Sequence, residues 1–263
     1  MIGKEIAHDP SLSAVERIYV RCVGAPIHGL RVRFRRLAPL MRSLIAPLGA
    51  QASVIDVGCG TGVFTVVMGA EFPHAHFVGI DNSEGLIARD REIATRAGRD
   101  NVRFEVADAL ELPYHETFDV AMCIDNLEHI EDDRAVLRSI AATLRPGGSL
   151  LVHVPGYYRR WPVFGKRVNF DVEGHVRPGY TLEEIVSRLR DTGYDVEQAF
   201  YTYGLLETVS NNLSYKITGA SRRNKHLYAL AFPFLNALAY LGRNARPAWG
   251  AGVAVVARKK TAT

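Results

Sequence analysis

The chain is poor in cysteine and has no long apolar run, and each shortage removes a class of protein. Its three cysteines, Cys22, Cys59 and Cys123, are scattered without the spacing of metal ligands. No stretch of about 18 uninterrupted apolar residues is present, which argues against a membrane-spanning helix. The opening residues MIGKEIAHDPSLSAVER lack the apolar segment of a secretory signal, so a reducing cytosol is the expected compartment. Internal repeats and low-complexity tracts are missing too, which sets aside solenoid architectures. What is present is 263 residues, 48% of them hydrophobic, enough for one ample core with appendages. A formal net charge of +4 suits an anionic partner, whether nucleic acid, phospholipid surface or acidic small molecule.

From Ser53 onward, apolar strand patterns alternate with amphipathic helical ones. Strands are expected at 54–57, 77–80, 102–106, 120–124 and 150–154, and helices at 64–72, 85–97 and 135–144. Thr181 and Glu184 have the spacing of a capping box, predicting a helix that ends at Gly193 before a strand at 195–200. A last strand is expected at 250–257. This order predicts an α/β fold with a doubly wound, mostly parallel seven-stranded sheet and helices on both faces, plus N-terminal helices and a helical insertion before the last strand. Ligands in such folds lie beyond the carboxyl ends of the strands, where strand order reverses. The domain reading is therefore a helical segment at 1–50, a ligand-binding domain at 51–200 and 250–260, and an apolar insertion at 201–249.

The densest signal is Val54-Ile55-Asp56-Val57-Gly58-Cys59-Gly60-Thr61-Gly62, a strand running into three alternate glycines and then a helix. Glycine there lets the backbone turn sharply and approach a bulky ligand. Asp81 ends the next strand, where a carboxylate can accept ribose hydroxyls, with Asn82 beside it. Asp108 ends the third, where an acid can accept from an adenine amino group while Ala109 packs on the ring. Ile124, closing the fourth strand, completes the set. A nicotinamide or flavin site would want G-x-G-x-x-G or A, but Val63 stands at the third fingerprint position. A carboxylate at Asp56 also suits an ammonium better than a pyrophosphate.

With DVGCGTG at 56–62, VGID at 78–81, ADALELPY at 107–114, FDVAMCIDNLEHI at 118–130 and LRPGGSLLVHVP at 144–155, the sequence resembles class I S-adenosylmethionine-dependent methyltransferases. The resemblance implies S-adenosylmethionine as cofactor, with Asp56, Gly58, Cys59, Gly60 and Gly62 around its methionine end, Asp81 at the ribose, and Asp108 and Ala109 at the adenine.

Methyl transfer from a sulfonium asks mainly for alignment, and a base is needed only when the acceptor is a hydroxyl or a protonated amine. The tip of the fourth strand offers Asp125, Glu128 and His129. His129 is the first choice of base because imidazole titrates near neutral pH. The bland alternative is that it packs or caps near the following helix. The same trio resembles the acid-x-x-Glu-His cluster of ubiquinone-pathway O-methyltransferases, in which such residues hold a divalent cation. Asp125 replaces the glutamate and shortens the reach, so no metal is expected. Nucleobase amino-methylases carry Asn or Asp followed by Pro-Pro and an aromatic here, and Cys123–Leu127 has none of that.

The acceptor is expected to meet the loop after Pro155, through Tyr157, Tyr158 and Trp161, among Arg159, Arg160, Phe164, Lys166, Arg167 and Phe170. His175 and Arg177 follow it; the alternative is a solvated loop over the edge of the core. Leu30, Phe34, Leu37, Met41, Leu44 and Leu48 stand at helical spacing with Arg31, Arg33, Arg35, Arg36 and Arg42 on other faces, and Pro39 is expected to kink or divide that helix. It reads as a lid or as an element on an anionic bilayer. Residues 227–241 are mostly apolar and flanked by Arg222, Arg223, Lys225, Arg243 and Arg246. They are suited to cap a greasy acceptor, dip into a membrane interface, meet a second copy of the chain or simply add to the core. The expected partner is a small-molecule or lipid acceptor, apolar or amphipathic, such as a quinone precursor, polyketide or lipid headgroup; no DNA is expected, and O-methylation is favoured. An RNA methylase, recognisable by steeply salt-dependent RNA binding, and a cofactor-binding protein without turnover stand as alternatives.

Overall fold

The short apolar runs read as strands lie side by side in a seven-stranded sheet. The computed structural model describes residues 3–161, 165–169, 174–218 and 225–261. The sheet contains β1 (Ser53–Val57), β2 (His76–Asp81), β3 (Val102–Val106), β4 (Phe118–Ile124), β5 (Leu144–Pro155), β8 (Tyr194–Thr202) and β9 (Gly252–Lys259). Their order is β3-β2-β1-β4-β5-β9-β8. Neighbours from β3 to β5 run parallel, while β9 is antiparallel to both β5 and β8. Strand order reverses between β1 and β4, and that switch point opens a crevice at their carboxyl ends.

Side-chain alternation divides the core into two layers. Val54, Met122, Leu151 and Val256 face α2 (His28–Ile45), α3 (Val63–Glu71) and α4 (Glu84–Arg96). Ile55, Cys123, Val152 and Val255 face α5 (Asp133–Thr143) and α6 (Leu182–Asp191). The capping box forms as predicted: the Glu184 amide donates to Thr181 Oγ1 at 3.2 Å, and the Thr181 amide donates to Glu184 Oε2 at 2.8 Å. A hairpin outside the sheet, β6 (Tyr158–Trp161) with β7 (Gly165–Val168), follows β5.

The N-terminal helices are α1 (Ala14–Val23) and α2. Pro39 does not divide α2, which runs unbroken through it. Leu30, Phe34, Leu37 and Met41 are all buried against the core, and this packing outweighs the lost amide. Leu48 lies beyond the helix and is exposed. The arginines of α2 do not form an outward basic face. Arg33 pairs with Asp125, Arg36 with Glu207 and Arg42 with Glu71, while Arg35 donates to Asn236. The reason is that α2 is sandwiched between the sheet and the insertion.

The insertion forms α7 (Leu205–Thr218) and α8 (Lys225–Leu241), which lock onto α2. Ser210 Oγ meets His28 Nε2 at 2.7 Å, and the Tyr203 hydroxyl donates to the Gly29 carbonyl at 2.9 Å. Phe232 and Ala239 are fully buried, whereas Leu230 and Phe234 are 71% and 75% exposed, so α8 carries an apolar face on each side. Among the described residues no helix is long and apolar enough to cross a membrane.

One ion pair fastens the cap. Arg36 grips both oxygens of buried Glu207, at 2.8 and 2.6 Å, and Glu207 also accepts from the Gly204 amide at the start of α7. Glu207→Gln keeps part of the hydrogen bonding but strands the guanidinium charge. We expect a loss of about 2 kcal/mol, below the usual range for a broken buried pair because Arg36 keeps two carbonyl acceptors. Thermal unfolding should fall by roughly 4–8 °C for a chain of this size. An unchanged midpoint would show that the pair does not hold the cap.

Candidate active site

The crevice floor is the glycine loop. Gly58 has φ +74°, and a Cβ there would sit 2.2 Å from the Asn126 side chain. Gly60 has φ +55° and nothing within 4 Å of where its Cβ would be, so its backbone offers open room for a ligand. The Gly58 and Cys59 amides donate to the Ile80 carbonyl at 2.8 and 2.9 Å, which ties the loop to the end of β2. There Asp81 accepts from the Gly60 amide through one oxygen and from the Ser83 amide through the other, both at 3.0 Å. Each oxygen retains lone-pair capacity for a hydroxyl. Asn82 is exposed beside it. Beyond β3, exposed Asp108 caps the Leu110 amide at 2.9 Å, and Ala109 is half-buried against the core. Ile124 is half-buried at the tip of β4.

This end of the sheet is rich in carboxylates. Burial raises the Asp56 carboxyl to about 7; the Thr65 hydroxyl at 2.7 Å opposes the shift and the Asp81 charge adds to it. Burial likewise raises Asp90 to about 7, against the pull of Arg89. Glu5 Oε2 and Asp90 Oδ2 are buried with no hydrogen-bond partner. Glu5 lies with Thr61 and Gly62 around a small gap beside the loop. Repelling, partly neutralised acids around an open glycine cradle form a receptor for a cation that also carries a diol. S-adenosylmethionine, with its sulfonium, ammonium and ribose, fits that donor set. Burial pushes the Cys59 thiol far up, so it stays uncharged.

Next to the loop lies a cavity of about 470 Å³ between the tip of β4 and the cap. It contains Asp125, Glu128 and His129 of the sequence reading, together with His175. Asp125 has φ +49° and faces Arg33 through one oxygen and His153 through the other. Arg33 and His153 therefore hold its carboxyl well below the ordinary carboxylate range despite its burial. His153 Nε2 meets Thr202 Oγ1 at 2.9 Å. Glu128 is buried with Oε2 unpartnered; burial first, then the Asp125 charge, drives its carboxyl well above the usual value. His129 is exposed to the cavity, and its Nδ1 lies 3.0 Å from the Gly174 carbonyl. A carbonyl only accepts, so Nδ1 carries the hydrogen of a neutral ring and Nε2 is left as the basic nitrogen. The His175 ring stands edge-on to His129, 4.6 Å between centroids.

Other residues named from the sequence sit elsewhere. Tyr157 and Tyr158 line an adjoining cavity of about 300 Å³ with Tyr180, Tyr201 and Trp249. Trp161 is on β6, and Phe164, Phe170, Arg222 and Arg223 lie outside the described residues. Arg177 is engaged by Asp133, the Tyr180 hydroxyl and the Glu131 carbonyl. Most residues lining the 470 Å³ cavity are of polar type, and none comes from residues 227–241. Those side chains pack on α7 and α2 or face outward, and among the described residues the insertion reaches the cavity through Tyr203, Asn211 and Tyr215. The sequence reading overlooked Arg33, His153 and Tyr203. His153 alone had a signal, as the one polar residue in the apolar run Leu150–Val154.

Residues 48–195 match the family described as a methyltransferase domain. The chain is 35% identical over 161 residues to the 27-O-demethylrifamycin SV methyltransferase of Amycolatopsis mediterranei (strain S699), covering 58% of this chain and 57% of that one. It is 35% identical over 130 residues to the demethylmenaquinone methyltransferase of Listeria monocytogenes serotype 4a (strain HCC23), covering 43% and 55%. The chain thus spans a little over half the length of these relatives. Among solved structures, the fold is similar to that of the [4+2]-cyclase SpnF, with a TM-score of 0.62, 23% identity and 87% and 81% of the two chains covered. It is also similar to a S-adenosylmethionine dependent methyltransferase from Mesorhizobium loti, with a TM-score of 0.55, 21% identity and 87% and 100% covered. By its family match, its strand order and its glycine loop, the chain belongs to the methyltransferase-domain family, the class I S-adenosylmethionine-dependent methyltransferases.

Proposed function

We propose that the protein O-methylates an amphipathic small molecule through an acidic hydroxyl, of the phenol or enol kind. The observation that carries this reading is His129, whose Nδ1 is tied to the Gly174 carbonyl so that Nε2 is the basic nitrogen in the cavity. S-adenosylmethionine, when bound, supplies a methyl group already activated by its sulfonium. Asp56, Gly58, Cys59, Gly60 and Gly62 bind its methionine end, Asp81, with Asn82 beside it, the ribose, and Asp108, Ala109 and Ile124 the adenine. His129 Nε2 takes the hydroxyl proton as the acceptor oxygen attacks, and Asn211, Tyr215 and His175 hold the acceptor's polar end. Segment 1–50 and insertion 201–249 close over the reaction and exclude water. Tyr157, Tyr158 and Trp161 guide the remainder of the acceptor. Two relatives, the 27-O-demethylrifamycin SV methyltransferase and the demethylmenaquinone methyltransferase, are named for amphipathic small-molecule acceptors of this kind.

The reaction is proposed to need no metal. Glu128, His129 and His175 bring one ligand atom each within 4.8 Å of one another, but Asp125, the third ligand of the sequence-based set, is taken by Arg33 and His153. The reading is tested with methyl-labelled S-adenosylmethionine and a panel of hydroquinones, phenols, enols and amines, with and without chelator. Label recovered as a methyl ether, undiminished by chelator, supports it. Label on nitrogen only, or on no member of the panel, overturns it.

Cofactor binding should depend on pH. Asp56 and Asp90, raised to about 7, are partly protonated at neutral pH, and a bound cation favours their ionised forms. Protons should be released on binding, and affinity should rise between about pH 6 and pH 8 by about tenfold for each carboxyl that ionises. Calorimetry in buffers of different ionisation enthalpy reads the release directly; no proton release, or weaker binding at the higher pH, contradicts it.

A further inference from the structure

A second cavity, larger than the first at about 710 Å³, lies between α2, the edge strand β8 and the chain following α8. It shares no lining residue with the cavity around His129. Five arginines line it, Arg35, Arg36, Arg42, Arg243 and Arg246, and no carboxylate does. Arg36 and Arg42 are neutralised by Glu207 and Glu71. Among the described residues no ion pair neutralises the other three. Arg243 lies over the Tyr240 ring at 3.7 Å, and Arg35 lies over the same ring at 5.6 Å. Two guanidiniums therefore share one aromatic wall. Arg35 Nη1 is buried with no acceptor, an unmet donor on a guanidinium that lines the cavity. The carboxamide of Asn236 accepts from its Nη2, holding the fork in place. Arg246 is exposed at the rim. The volume is within the ordinary range for small-ligand sites.

We propose that this cavity is a binding site for a phosphate-bearing anion, with Arg35 and Arg243 as its fork and Arg246 at its mouth. Planar guanidiniums match phosphate oxygens two at a time, and three of them within one aromatic-walled cavity supply both charge and directed donors. The phosphate comes either from a soluble metabolite or from a lipid headgroup, and the chemistry of recognition is the same. Burial and the neighbouring cations Arg31 and Arg243 already disfavour the Arg35 charge, which adds to the gain on binding.

The test uses the full chain at low salt. Inorganic pyrophosphate is titrated by calorimetry, and vesicles of phosphatidylglycerol mixed with phosphatidylcholine are compared with pure phosphatidylcholine by co-sedimentation. Arg35→Gln combined with Arg243→Gln is expected to weaken pyrophosphate binding by at least about tenfold, the scale of one charge-assisted hydrogen bond. Binding of S-adenosylhomocysteine should be unchanged and reports that the variant is folded. If that double variant does not fold, Arg246→Glu places a carboxylate at the rim and is expected to weaken binding about threefold or more. Pyrophosphate binding alone supports a soluble ligand. Vesicle binding that pyrophosphate displaces supports a lipid one. The proposal is overturned if wild type binds neither probe, if the variants bind as wild type does, or if vesicles bind and pyrophosphate neither binds nor competes.

Discussion

Replacing His129 with Gln should lower kcat for methyl-ether formation by about 10²–10⁴, the usual contribution of a positioned general base, while leaving S-adenosylmethionine affinity within about twofold. Glutamine approximates the size of imidazole and can still hydrogen-bond the Gly174 carbonyl, but it has no nitrogen that takes a proton at neutral pH. The loss should therefore shrink for acceptors of lower hydroxyl pKa, which ionise without help. A merely structural His129 would behave differently: turnover and cofactor binding would fall together and the acceptor's acidity would not matter. Single-turnover measurements across a series of substituted phenols, each paired with a calorimetric titration of the cofactor, separate the two cases.

Asp125→Asn should be the most destabilising single change at the site. Asn tolerates the positive φ that Asp125 adopts, so the backbone is spared. The charge is what goes, leaving Arg33 without its counterion and His153 with a weaker acceptor. We expect about 3 kcal/mol, the lower end for uncoupling a buried pair because both side chains keep some access to the cavity. The effect has a definite pH sign. Arg33 and His153 hold the folded-state pKa of Asp125 below its ordinary value of 3.8. Its stabilisation is therefore complete above that value and disappears as pH falls through the folded-state pKa. Denaturant midpoints of wild type and variant should differ most near neutral pH and converge in acid; a constant difference would place the effect in packing rather than charge. The same change should also lower turnover, because this carboxylate bridges Arg33 on α2 and His153 on β5 beside His129.

These effects show which features were legible in the sequence. Strand and glycine-loop positions were readable because their signals are local: Val54, Ile55 and Val57 put apolar side chains on both faces of β1, Gly58 and Gly60 need positive φ, and Asp81 ends its strand. The capping box at Thr181 and Glu184 is equally local. The network at Asp125 was not readable, since it joins α2, β4, β5 and β8, and no pattern in one segment announces a partner in another. The choice between lid and bilayer element for α2 stayed open for the same reason: helical periodicity tells which residues share a side, but not whether a second layer covers it. The insertion covers it here, turning an apparent surface into an interior of ion pairs. The apolar stretch at 227–241 left several readings open, because composition does not say which face meets the protein: Phe232 and Ala239 are buried, Leu230 and Phe234 face outward, and no residue of the stretch lines the cavity around His129.

The central claim is that the crevice at the switch point holds S-adenosylmethionine with its ribose on Asp81. Isothermal titration of S-adenosylmethionine and S-adenosylhomocysteine into wild type and Asp81→Ala tests it most directly. Wild type should bind both, and the variant should lose roughly 100-fold or more in affinity, as two charge-assisted hydrogen bonds to a diol disappear and the Gly60 amide loses its acceptor. No binding by wild type, or equal binding by the variant, would contradict the account.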